Sequence, residues 1–398
     1  MSLELDLARR LDALRERGLE RTLSLPTGID FASNDYLGFA GHRALLAGVR
    51  RRMEHAELGG EAAFAPAARL LRGTTPAHLA LEERLARFKG HAAALLFPSG
   101  YQANLGLLSA LLGPADRAIS DAQNHASIID GLRLSGCAKV VVPHLDLAAL
   151  AAALALPHPG GRTVVVVESL YSMDGDLAPL GAIADLCADA GADLVVDDAH
   201  ATGLYGEGRS SGWVEACGVE ARAAAVVTTF GKALGVAGAC VSGSRVLVDL
   251  LVSASRGFVF TTAQPPLWLW SIEAALDCLA ADRPRARRAL ELADRLRERL
   301  RAAGLETLAS AGPIVPVVLG DNRRALAAAA AIQERGFDVR AVRPPTVAPG
   351  TARLRLSVHA DRTTDEVDAL AVAVIEACSA PAEKTPAVDA AAVRGERG

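Results

Sequence analysis

Hydrophobic positions along the chain follow two rhythms. Over residues 3–18, Leu3, Leu7, Leu11 and Leu14 recur among alternating charges at the spacing of one helical face, which predicts an arm packing that face on the body. From Ala93 onward the pattern becomes short apolar runs, at Ala93–Phe97, Val140–Val142, Val164–Val167, Leu194–Val196, Ala225–Val227 and Ala239–Val241. Between them lie Ala- and Leu-rich helical stretches such as Leu145–Leu156 and Leu180–Ala190. Runs without polar alternation predict strands buried on both faces, so the chain reads as α/β, with a mostly parallel central sheet covered by helices. Ligands of such sheets gather at the carboxyl ends of the strands.

The rhythm breaks near Asp282-Arg283-Pro284. Arg285–Arg301 then reads as one charged amphipathic helix, followed by apolar runs at Ile314–Leu319 and Arg353–Val358 and a last helix from Thr364 to Cys378. The expected organisation is an N-terminal helical arm (1–40), a large α/β domain (41–283), a smaller C-terminal α+β domain (284–380) and a tail of Ala, Pro and charge (381–398) that frays.

Composition narrows the function classes. With 398 residues, 51% hydrophobic and 22% charged, most of the chain buries enough apolar surface to fold without a template. The formal charge of −4 and a sequence pI near 6.2 provide no basic field for phosphate backbones or anionic lipid, which argues against nucleic-acid and membrane partners. Acids at Glu4 and Asp6 stand where a signal peptide needs positive charge, and no uncharged apolar run reaches ~18 residues, so a cytoplasmic protein is expected. The six dispersed cysteines show no metal-ligand spacing and read as buried thiols in a reducing compartment, with no metal site.

Two strand ends carry chemistry. The run Asp193–Val196 leads into Asp197-Asp198-Ala199-His200, two acids and an imidazole at a carboxyl end, although an acid at such a place also serves simply to cap a turn. About 30 residues later another strand leads into Thr229-Phe230-Gly231-Lys232-Ala233-Leu234-Gly235. The apolar, Gly-flanked setting is expected to desolvate Lys232 alone among the four lysines and to favour its neutral amine, the form that condenses with an aldehyde. A carboxylate and a lysine so arranged point to pyridoxal 5'-phosphate (PLP), whose ring nitrogen needs the first and whose aldehyde needs the second. Ser99-Gly100-Tyr101, between a strand and a helix, offers free amides for a phosphate. His125 follows a short strand near Ile119, where its ring is either a stacking surface or an ordinary hydrogen-bonding residue.

In this order the residues resemble the α-oxoamine synthases, a subgroup of the aspartate-aminotransferase-type (fold type I) PLP enzymes, to about Ala377. Eight stretches carry the resemblance: Ser33–Gly38, Ser99–Asn104, Asn124–Ser127, Ser172–Asp176, Asp197–His200, Thr229–Lys232, Phe260–Pro266 and Arg343–Thr346. It implies that Lys232 bonds the cofactor aldehyde, Asp197 pairs with the ring nitrogen, His200 reaches the ring hydroxyl oxygen and His125 stacks on the ring, with Ser172 in the same pocket. It further implies that Gly100, Tyr101 and Thr229 hold the phosphate, with Thr261 or Thr262 reaching it from the neighbouring subunit of a homodimer. Asn34 and Arg355 match positions that meet an amino-acid carboxylate, and Arg21 and Thr346 match positions assigned to an acyl substrate.

The activity so implied is a decarboxylative condensation of L-alanine with pimeloyl-CoA or a pimeloyl carrier protein, as in biotin synthesis. Its alternatives are a glycine acetyltransferase, a synthase of longer-chain amino ketones, or a non-catalytic partner subunit of the same fold. Relatives carry a Gly-rich loop ending in Ser-Arg where this chain has Gly59-Gly60-Glu61-Ala62-Ala63-Phe64-Ala65-Pro66-Ala67-Ala68-Arg69.

Overall fold

A computed structural model describes residues 2–379 apart from 17, 18, 22, 24, 61 and 159; the C-terminal segment expected to fray lies outside the described residues. Among the described residues twelve strands follow in chain order: β1 (Ile29–Asp30), β2 (Ala93–Phe97), β3 (Arg117–Asp121), β4 (Ala138–Val142), β5 (Thr163–Glu168), β6 (Asp193–Asp197), β7 (Ala223–Thr229), β8 (Ala239–Gly243), β9 (Ile314–Gly320), β10 (Phe337–Asp338), β11 (Arg340–Val342) and β12 (Ala352–Ser357). Every apolar run singled out above is a strand.

Seven strands form the main sheet in the order β2-β8-β7-β6-β5-β3-β4. Only β8 runs against its neighbours β2 and β7, so the other six strands point their carboxyl ends to one edge. Side chains alternate across this sheet. Leu95, Phe97, Val164, Val166, Val195, Val227 and Val241 pack one way with Leu107, Ile128 and Leu251, while Val165, Val167, Leu194, Val196 and Val226 pack the other way with Leu150, Leu180 and Ile183. One expectation fails here. Burial on both faces does not hold for β4, exposed or half-buried from Ala138 to Val141, because it is the edge strand and lacks a neighbour on one side.

Beyond the helix Pro266–Ala281, the long helix Pro284–Ala302 leads to a three-stranded antiparallel sheet, β11-β12-β9. Leu296, Leu300, Val315, Val317, Leu354, Leu356, Leu370 and Val374 form its core, which also takes in Phe31. The chain before the main sheet contributes here, because β1 pairs in parallel with β10. The first helix, Leu3–Glu16, buries none of its residues.

Candidate active site

The six aligned strands end at a cleft of about 350 Å³ lined by residues from the turns after β2, β3, β6 and β7. Asp197, the last residue of β6, is buried at its floor. One carboxylate oxygen accepts Asn104 Nδ2 at 2.7 Å and the other accepts the Ala199 amide at 3.0 Å, which fixes the plane of the group. Asn104 also donates to Ser127 Oγ at 2.9 Å, joining the helices Gly100–Leu111 and Ala126–Ser135 beneath the site.

Lys232 follows β7 and lines the same cleft, half-buried. Burial lowers its pKa, and the nearby carboxylates of Asp197 and Glu168 oppose that without reversing it. The neutral amine is therefore more accessible than in a solvated lysine. Lys232 is not, however, the only desolvated lysine. Lys89 is 1% exposed at the end of the helix Pro76–Lys89, where it pairs with Asp198 Oδ2 at 2.7 Å. The sequence reading missed it because its partner lies 109 residues away. Lys89 is thus tied to a carboxylate away from the cleft, whereas Lys232 opens on it.

Glu168 was also missed. It ends β5 directly beside Asp197 in the sheet register, lines the cleft, and accepts the His125 amide at 2.6 Å. Burial pushes its carboxyl up to about 8, and the charge of Asp197 adds to this while Lys232 opposes it. His125 caps the following helix, with Nδ1 2.8 Å from Ser127 Oγ and its ring open to the cleft. His200 is buried, and burial, then the charges of Lys232 and Arg355, hold its pKa well below the usual value, so it is neutral.

At the other end, Ser99 caps the helix Gly100–Leu111 by accepting the Gln102 amide, and Gly100 and Tyr101 at that N-terminus line the cleft. Gly100 is needed there for space, since a Cβ at that position would overlap Thr229 Cγ2. A cradle that any side chain would fill, next to a helix N-terminus, suits a phosphate. With Lys232 and Asp197 across the cleft, the donor set matches the reactive atoms of PLP. Tyr101 lines the same space, and its hydroxyl is bonded outward to Asp130.

The wall toward β12 is built around Arg355. Its guanidinium donates to Asn34 Oδ1 at 2.9 Å, to the Ser172 carbonyl at 2.6 Å and to Ser357 Oγ at 2.9 Å. Asn34, Ser172 and Arg355 are thus brought together, and of the three only Asn34 lines the Lys232 cleft. On the same strand Arg353 pairs with Asp174. Arg21 and Thr346 also meet, with Nη2 3.3 Å from Oγ1, at the rim of a second cleft of about 740 Å³ that includes Met173, the neighbour of Ser172. Thr261 and Thr262 do not line the Lys232 cleft of their own chain. They lie beside the atypical loop, where Thr262 bridges Ala68. That loop ends in Arg69, which is buried and held by both oxygens of Glu82 at 2.9 and 3.0 Å.

Among the described residues no cluster of His, Cys, Asp and Glu is arranged to hold a metal, and no helix is long and apolar enough to cross a membrane.

Comparison with known proteins extends the geometry. Residues 26–374 match the family model for class I and II aminotransferases. The 8-amino-7-oxononanoate synthase of Anaeromyxobacter dehalogenans (strain 2CP-1) is 44% identical over 381 residues, covering 92% of this chain and 93% of that protein. Among solved structures, a serine palmitoyltransferase from S. paucimobilis with a PLP–myriocin ligand is 28% identical with a TM-score of 0.85, covering 95% of this chain and 98% of that one. An 8-amino-7-oxononanoate synthase from Francisella tularensis is 25% identical with a TM-score of 0.74, covering 88% and 97%. The fold is therefore that of the fold type I PLP enzymes.

Proposed function

The chain belongs to the class I and II aminotransferase family, and from that premise we propose that it is a PLP-dependent acyltransferase that condenses L-alanine with a pimeloyl thioester, releasing carbon dioxide and the free thiol carrier to give 8-amino-7-oxononanoate. Relatives of that name match over more than nine-tenths of the chain at 38–45% identity. The structural neighbours named as serine palmitoyltransferases superpose somewhat better but share only 28–30% of the sequence, so side chains argue for the first substrate class and overall shape does not decide.

When bound, PLP supplies an aldehyde for amines and a ring that withdraws electrons from the carbon next to nitrogen. The residues here divide the remaining work. Arg355 and Asn34 present donors for the alanine carboxylate, and the guanidinium is already oriented by Ser172 and Ser357. Lys232 Nζ, its pKa lowered by burial, takes the α-proton and later returns one. Asp197, fixed by Asn104 and Ala199, would hold positive charge at the ring nitrogen. His200 would offer a neutral imidazole to the ring hydroxyl oxygen, His125 would cover a ring face, and Gly100, Tyr101 and Thr229 would hold the phosphate.

The cleft of Arg21 and Thr346 receives the acyl chain, entering past Met173. A homodimer completes the site. Phe260 is 73% exposed next to Thr261 and Thr262, with exposed Phe64 and Leu71 nearby in sequence to the bridged Ala68, an apolar surface suited to a second copy. The single observation that carries the reading is the convergence of Lys232, Asp197, His125 and His200 on one cleft whose wall, through Asn34, holds Arg355. Product identification by mass spectrometry, with alanine, glycine and serine each offered against acyl-CoA thioesters of increasing length, tests it. Preference for glycine with acetyl-CoA, or for serine with a long chain, overturns the substrate assignment.

A further inference from the structure

Behind the cleft a second charged cluster joins two of the turns that build it. His144, in the turn after β4, stands between Asp121 at the end of β3 and Asp176 in the hairpin after β5. Its Nδ1 is 2.9 Å from Asp121 Oδ1 and its Nε2 is 2.8 Å from Asp176 Oδ2. Carboxylate oxygens only accept, so both ring nitrogens carry protons and the ring is an imidazolium. The three side chains are 18%, 3% and 11% exposed, which keeps solvent from screening them. The Tyr171 ring meets the imidazole edge-on at 4.4 Å.

Each carboxylate organises a different wall. Asp121 also accepts the amides of Gln123 at 2.8 Å and Leu145 at 2.9 Å, which shapes the turn leading to His125. Asp176 sits in a hairpin whose backbone closes through Tyr171 N to Asp176 O at 3.0 Å and Gly175 N to Tyr171 O at 2.9 Å. That hairpin presents the Ser172 carbonyl to Arg355 and the Asp174 carboxylate to Arg353.

We propose that His144 is a positioning residue whose imidazolium clamps the Asp121–His125 turn to the Ser169–Ala178 hairpin, fixing the distance between the ring-covering histidine and the arginine that receives the amino-acid carboxylate. The part concerning alanine rests on the proposed function; the clamp itself does not.

Burial alone would lower the imidazole pKa, but the hydrogen bonds and charges of Asp121 and Asp176 outweigh it and carry the group up to about 9. The other groups facing the cluster are Tyr171, whose burial pushes its hydroxyl well above the ordinary value, Glu168 on β5, and Asp146 on the same turn, which caps the Ala149 amide. A folded pKa raised above the free value contributes stability that is complete below about 6.5 and disappears as pH climbs through about 9.

The test uses the holoenzyme and the variants Asp176→Asn and His144→Gln. In the wild type the alanine KM is expected to rise about tenfold as His144 loses its proton, with a smaller change in kcat. Asp176→Asn, with one carboxylate fewer, should move that rise at least one pH unit lower, and His144→Gln should show a raised KM with no such step while retaining bound cofactor. Amide exchange, which needs no substrate, should increase together at 122–126 and 170–176 in His144→Gln. A KM step at the same pH in Asp176→Asn, or faster exchange in one segment only, overturns the proposal. If alanine proves not to be the substrate, the coupled exchange still supports or sinks the clamp; if His144→Gln does not fold, the pH shift and exchange in Asp176→Asn decide.

Discussion

The hydroxyl of Tyr36 lies 2.7 Å from Nδ1 of His200, joining residues 164 positions apart in a contact sealed from solvent. The same hydroxyl is 3.2 Å from Asn34 Oδ1. The single Tyr36 hydroxyl proton thus has two acceptors in reach, Asn34 Oδ1 and, when the imidazole proton is on Nε2, His200 Nδ1. Tyr36→Phe should therefore leave a buried acceptor unmatched, lowering stability by about 1–3 kcal/mol. A thermal midpoint equal to that of the wild type, with unchanged cofactor affinity, would contradict this.

Lys232→Ala removes the only amine lining the cleft among the described residues. The protein should fold, lose the visible absorbance of lysine-linked cofactor and lose turnover. Absorbance that survives the substitution places the linkage elsewhere.

For Asp197→Asn the fold and the Asn104 contact can persist, but the charge at the ring nitrogen is gone. Turnover should fall on the order of 10³-fold or more while cofactor still binds. Steady-state rates near those of the wild type would remove Asp197 from its role.

Arg355→Ala should raise the alanine KM about 10- to 100-fold, the cost of one charge-assisted contact, with cofactor absorbance intact. Arg355→Lys keeps the charge but not the fork that reaches Asn34, Ser172 and Ser357 together, so it should recover only part of the loss. Alanine titration followed by absorbance measures both.

Glu168 gives a pH signature in the cofactor-free protein. Its carboxyl is raised to about 8 in the folded chain from an ordinary 4.5, so the folded state holds a proton that the unfolded state has released. That contribution is complete below about 4.5 and is lost as pH rises to about 8. The melting temperature should fall less steeply across this window in Glu168→Gln than in the wild type. Parallel pH profiles would show that Glu168 does not hold the proton.

Much of this was legible in the chain because parallel strands buried on both faces announce themselves as continuous apolar runs. Lys232, Asp197 and His200 stood out because each follows such a run directly. What stayed hidden depends on partners distant in sequence. Nothing near Lys89 announces Asp198, nothing near Glu168 announces its neighbour across the register, and the stretch Ser99–Asn104 does not announce that Asn104 bonds Asp197. Local pattern reports whether a residue is buried. Which charge it is buried against is settled only when strands from far apart become neighbours.

The arginines of β12 add a last point. Arg353 and Arg355 belong to the C-terminal sheet, yet Asp174 and Ser172 of the hairpin after β5 grip them. The carboxylate receptor proposed above thus draws on the hairpin after β5 and on the C-terminal sheet together. Hinge opening there would have to break an ion pair and strip Arg355 of a carbonyl contact. With its guanidinium held by Ser172, Ser357 and Asn34, Arg355 in the proposed role would have little orientational entropy left to surrender at that end of the cleft.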